Sequence, residues 1–149
     1  MKKLLLVLLF PLTLFSQNQE RISTAYAEIN TGVAFIDELP FPGMSGLIGT
    51  TLNIEGFLID LEAGLALPTI WTAKMGIGLE TGQNQITLGL RPYPSHFYVQ
   101  HAFTGKKYGS FHVSLEFGLE EAGFGDSFES IGMITFGWRF TLSDFKLGK

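Results

Sequence analysis

The sequence predicts an all-β chain, folded as an eight-stranded antiparallel up-and-down barrel that crosses a membrane. Three observations carry this expectation. Apolar and polar residues alternate through almost the whole chain, which is the period of a strand. The alternation falls into eight segments separated by turn sequences. Most segments are about 9–13 residues long, close to what a tilted strand needs to cross a bilayer. No segment after the first residues has a helical period.

The first residues are set apart by "MKKLLLVLLFPLTLFSQ". Lys2 and Lys3 give a basic start, Leu4 to Phe15 an apolar run broken only by Pro11 and Thr13, and Ser16 a small residue before a polar stretch. This is the pattern of a cleaved export signal over residues 1–16, and it is too short for a membrane helix, which needs about 20 apolar residues. Residues 17–149 are then the barrel domain, about 130 residues and a single domain by length. The formal charge of −4 becomes −6 without Lys2 and Lys3. An acidic exported chain with no basic cluster is excluded as a nucleic-acid binder. It has no cysteine, hence no disulfide and no lipidated cysteine anchor.

The strands follow in order. The first runs over Thr24–Ile36, with Glu28 on its polar row. The second, Gly46–Ile54, follows the loop "DELPFPGMS" and ends at the tight turn Glu55-Gly56. In the third, Phe57–Leu67, the apolar row Phe57, Ile59, Leu61, Ala63, Leu65 and Leu67 opposes Asp60 and Glu62. The fourth, Ile70–Glu80, sets Trp71, Ala73, Met75, Ile77 and Leu79 against Thr72, Lys74 and Glu80. After "TGQN" comes Gln85–Arg91, and after "PYPS" His96–Phe103, where His101 falls on the apolar row and a bulge would move it off. The seventh follows "TGKK" and spans Tyr108–Leu119. The eighth, Ser130–Phe140, follows "EAGFGDSFE". The tight turns follow strands two, four and six, so with an internal N-terminus they all lie on one side and the more variable loops on the other.

Alternation alone does not say which row faces inward. The apolar rows here are long and, apart from His101, clean, and both tryptophans lie on them. Phe35, Trp71, Phe97 and Phe117 cluster toward the loop ends, and Phe57, Phe103, Phe111, Trp138 and Phe140 toward the turn ends, as interfacial belts require. The apolar row is therefore assigned to lipid and the polar row to the interior. That places Glu28, Asp60, Glu62, Lys74, Arg91, His112, Glu116 and Arg139 in one interior charge network. Eight strands leave room for side chains and not for a wide channel, so these charges must pair. A secreted soluble barrel or sandwich acting as a binding module is the alternative, with the rows exchanged.

In strand count and alternation the chain resembles the small eight-stranded outer-membrane barrels of diderm bacteria, the group containing the OmpA transmembrane domain and OmpX. The last strand, "SIGMITFGWRF", is similar to the aromatic-ended strand that such proteins present to the barrel-assembly machinery, except that "TLSDFKLGK" follows Phe140. The resemblance implies an outer-membrane location, a monomer, and outer-membrane lipids and the assembly machinery as partners.

Candidate chemistry centres on "GSFHVSLEFGLEE", residues 109–121. His112-x-Ser114 resembles outer-membrane lipid A deacylases, which hydrolyse esters with His, Ser and an acid, here Asp126, Glu116 or Glu120. That family turns its nucleophile and base toward lipid and continues the motif with Asn; here Leu115 follows Ser114 and both polar groups face inward. An acyl-transferring barrel needs an apolar interior, whereas this one is charged. His96 and His101, five apart, face opposite sides of a strand and share no metal. Asp37, Glu38, Glu120, Glu121, Asp126 and Glu129 read as loop solvation in preference to a cation site. Phe41, Phe124 and Phe128 are contact points. The sequence thus points to a structural or surface role, with no catalytic residue, cofactor or metal assigned.

Overall fold

The computed structural model describes residues 21–36, 39–105, 109–119 and 130–147. The expected leader, the six acidic loop residues, Phe124 and Phe128 lie outside these described residues. Eight strands, β1 (Arg21–Ile36), β2 (Leu39–Ile54), β3 (Phe57–Leu67), β4 (Ile70–Thr81), β5 (Asn84–Tyr93), β6 (His96–Gly105), β7 (Gly109–Gly118) and β8 (Ser130–Leu147), pair in chain order. β8 returns to β1 and closes the barrel. Every neighbouring pair is antiparallel.

The registers set the shape. A path from Arg21 runs across the strands through Ile54, Phe57, Leu79, Ile86, His101, Val113 and Phe136 and returns to β1 at Thr31, ten residues above its start. With ~3.3 Å per residue and ~4.8 Å between strands, that stagger tilts the strands by about 40°. The interior of such a barrel is filled by side chains.

The rows face as expected. Ile29, Leu61, Ile77, Leu88, Leu115 and Phe136 are exposed on the outside. The even-numbered residues of β1, β3, β4, β6 and β7 and the odd-numbered residues of β2, β5 and β8 supply the buried interior. The two aromatic groups are exposed on the outer wall at opposite ends. On the turn side, Phe111 lies 6.4 Å and Phe140 6.5 Å from Trp138, centroid to centroid.

Two expectations need correction. β2 begins at Leu39, so most of "DELPFPGMS" is strand and not loop. Leu39–Gly43 pair with β1 alone, because pairing with β3 starts only at Met44. Pro40 and Pro42 therefore lie beside a free edge, where a missing N–H breaks no ladder bond. β8 likewise continues past Phe140 to Leu147 along β1, absorbing Leu142 as a bulge between Thr141 and Ser143; "TLSDFKLGK" is largely a continuation of the last strand. The links at 68–69 and 94–95 are as short as the turns at 55–56 and 82–83.

His101 stays on the outer row without a bulge, its register running unbroken between Ile86 and Val113. It sits edge-on to Phe103 at 4.3 Å. The turn Glu55-Gly56 has φ of 52° and 89°, the paired left-handed residues of a tight hairpin turn. Asn53 Oδ1 accepts the Gly56 N–H at 2.9 Å.

Candidate functional site: the charged interior and its mouth

All eight residues assigned to the interior charge network are buried. The inward row of each strand carries them there, and the stagger brings strands distant in sequence to one level. Arg139 on β8 is the hub on the turn side. Its Nε donates to Glu28 Oε2 at 2.8 Å and its Nη2 to Asp60 Oδ2 at 3.1 Å, with Glu62 Oε2 at 3.5 Å. The guanidinium lies 3.7 Å from the centroid of the Tyr26 ring, a cation–π stack. The Tyr26 hydroxyl donates to Asp60 at 2.9 Å and to Glu62 at 3.3 Å.

A second cluster forms around Glu116. Arg91 holds it with two parallel hydrogen bonds, Nε to Oε2 at 2.6 Å and Nη2 to Oε1 at 2.7 Å, the strong bidentate geometry. Lys74 Nζ is 3.2 Å from Glu116 Oε1 and 3.7 Å from Glu62 Oε1, so it joins the two clusters. The remaining Arg91 nitrogen donates to Thr72 at 2.7 Å.

His112 completes the network. Its Nε2 is 2.7 Å from Asn30 Oδ1 and 3.3 Å from Glu28 Oε1, both acceptors, so Nε2 carries the hydrogen. Gly137 faces this contact. A Cβ there would fall on Asn30 Oδ1 and His112 Nε2, so the neighbouring β8 position must lack a side chain. Ser114 Oγ points the other way, to Glu116 Oε1 at 3.5 Å. His112 and Ser114 thus serve different carboxylates and are wholly buried, which does not assemble the deacylase-like pair.

Tyr26, Asn30, Thr51, Thr72 and Tyr98 belong to the same interior, though the charge-based reading did not select them. For Tyr26, Asn30 and Thr72 the signal was available, since each occupies the same row as a selected charge, whereas Thr51 and Tyr98 lie on β2 and β6, which carry none of them. The interior is not uniformly polar either, because Leu47 and Leu58 are buried in it.

The mouth at the loop end has a different character. A cavity of about 50 Å³ lies there, with Ala34, Ile36, Ala66 and Met133 on its walls and Arg91 as the one charged residue among its described lining. Ser130 also lines it. His96, buried at the start of β6, lies beside it with Nδ1 2.9 Å from the Pro94 carbonyl oxygen and Nε2 2.6 Å from Ser130 Oγ. No family model matches the sequence, and no curated protein or solved structure matches the chain.

Proposed function

We propose that the chain is a monomeric outer-membrane protein, a structural or surface barrel whose interior is closed by its own charged side chains. The observation that carries this reading is the inversion of the barrel. Ile48, Leu65, Ile77 and Leu79 are 56–70% exposed on the outside, while Glu28, Lys74, His112 and Glu116 are at most 2% exposed inside. In water that outer wall would be a continuous apolar surface far larger than the patches soluble monomers expose. In a bilayer it is the ordinary lipid-facing surface, and closure satisfies every strand edge across the hydrocarbon. The aromatic groups at the two ends suit the two membrane interfaces. Membrane lipids and, during biogenesis, the barrel-assembly machinery are the partners this reading implies.

The test is fractionation of cells expressing the full chain, followed by gel migration with and without boiling. Recovery in the outer membrane, with faster migration before boiling, is the expected result. A detergent-independent soluble monomer would refute it and leave a secreted binding module.

A further inference from the structure

We propose that Ser130 and His96 form a nucleophile–base pair at the barrel mouth, able to hydrolyse a carboxylic ester whose acyl group enters the apolar cavity beside them. The hydrogen-bond chemistry assigns the roles. The Pro94 carbonyl can only accept, so His96 Nδ1 must carry the hydrogen of their 2.9 Å contact. In the neutral ring Nε2 is then the free base, and the Ser130 hydroxyl donates to it at 2.6 Å. Nucleophile, base and a group that fixes the base's tautomer are thus in line, the arrangement that activates a serine.

Two backbone features place these groups together. Inward residues of β8, such as Met133, Gly137 and Arg139, are odd-numbered, so a regular strand would turn Ser130 outward. The register instead slips: Phe35 pairs with Gly132 but Ile36 with Ser130, leaving Ile131 as an extra residue. Ile131 is exposed, and the bulge turns Ser130 into the mouth, as bulges re-aim side chains beside active sites. His96 must also reach past β7, which lies between β6 and β8. Its partner there is Gly118, where a Cβ would strike the Ser130 carbonyl oxygen. Neither feature contributes to the charge network.

Ser130 borders the cavity whose walls include Ala34, Ile36, Ala66 and Met133, which suit an acyl chain. The reaction balances with water alone. Ser130 Oγ bonds to the ester carbonyl carbon as its proton passes to His96 Nε2. The tetrahedral adduct collapses, its bond to the alcohol oxygen breaks, and the alcohol leaves with that proton. Water, deprotonated by His96, then cleaves the acyl-serine, and the proton returns to Ser130 Oγ.

The experiment treats the folded full-length protein in detergent with an alkyl fluorophosphonate, maps the adduct by peptide mass spectrometry, and follows p-nitrophenyl butyrate cleavage. The expected adduct is on Ser130, with cleavage abolished in Ser130→Ala and unchanged in Ser114→Ala. In His96→Gln, labelling of Ser130 should slow by about 100-fold or more, the usual contribution of a general base. Exchanging the two residues, Ser130→Ile with Ile131→Ser, moves the hydroxyl to the exposed bulge position away from His96 and should abolish labelling; it decides the matter if His96→Gln does not fold. No Ser130 adduct on folded wild-type protein overturns the proposal. So does serine labelling at the wild-type rate in folded His96→Gln or, where that variant does not fold, in the Ser130→Ile, Ile131→Ser exchange.

Discussion

Arg139 compensates three carboxylates from two other strands, Glu28 on β1 and Asp60 and Glu62 on β3, so its loss leaves negative charge buried without a partner. Arg139→Met should destabilise the barrel by about 3–5 kcal/mol, as removal of one member of a buried ion pair does. The change is readable as a lower urea midpoint in tryptophan fluorescence of vesicle-inserted protein. His112→Ala should cost less, about 1–3 kcal/mol, because it leaves one hydrogen-bond acceptor on Asn30 unmatched. Equal midpoints for the two variants would show that the network has no hub. The charged members were legible in the sequence because row parity on a strand fixes which residues share the interior. Ser130 was not legible, since one extra residue at Ile131 reverses parity without leaving any mark in composition.

At the level of the strand, the decisive property for the proposed membrane location is which row faces outward. Leu61 on β3 and Ile77 on β4 are exposed in the middle of the outer wall. Leu61→Arg and Ile77→Arg should each cost about 2–4 kcal/mol, the cost of a charge on the lipid face near mid-membrane. Thr87→Ser, on the inward row of β5, should cost far less. Refolding yields into vesicles, read by heat-modifiable migration, measure the difference; similar yields would mean that inside and outside are exchanged. β3 and β4 were readable almost to the residue because their alternation is uninterrupted. The ends of β2 and β8 were not. Prolines at 40 and 42 ordinarily signal a loop, and only the stagger, which leaves that part of β2 without a second neighbour, makes them compatible with a strand. In β8 the bulge at Leu142 breaks the alternation and hides the continuation to Leu147.

For the molecule as a whole, the stagger and strand count leave an interior occupied by Tyr26, Tyr98, Lys74, Arg91 and Arg139 together with their carboxylates. Planar-bilayer recordings of the purified protein should therefore show at most small, irregular currents. Large stable openings would require a wider pore than one such chain encloses. Arg139 has a further consequence for how the molecule is made. It belongs to the last strand, whereas Glu28, Asp60 and Glu62 belong to the first and third. A partly built sheet holds these acids without the guanidinium that later neutralises them, and lipid is a poor place for them in that state. Closing the β1–β8 seam and discharging the interior are one event. A chain ending at residue 129 should accordingly remain protease-sensitive with vesicles, whereas the full chain becomes protected. Under the proposed membrane location, the ion pair at the seam would work as a checkpoint on completion, admitting the chain to the bilayer only when its final strand has arrived.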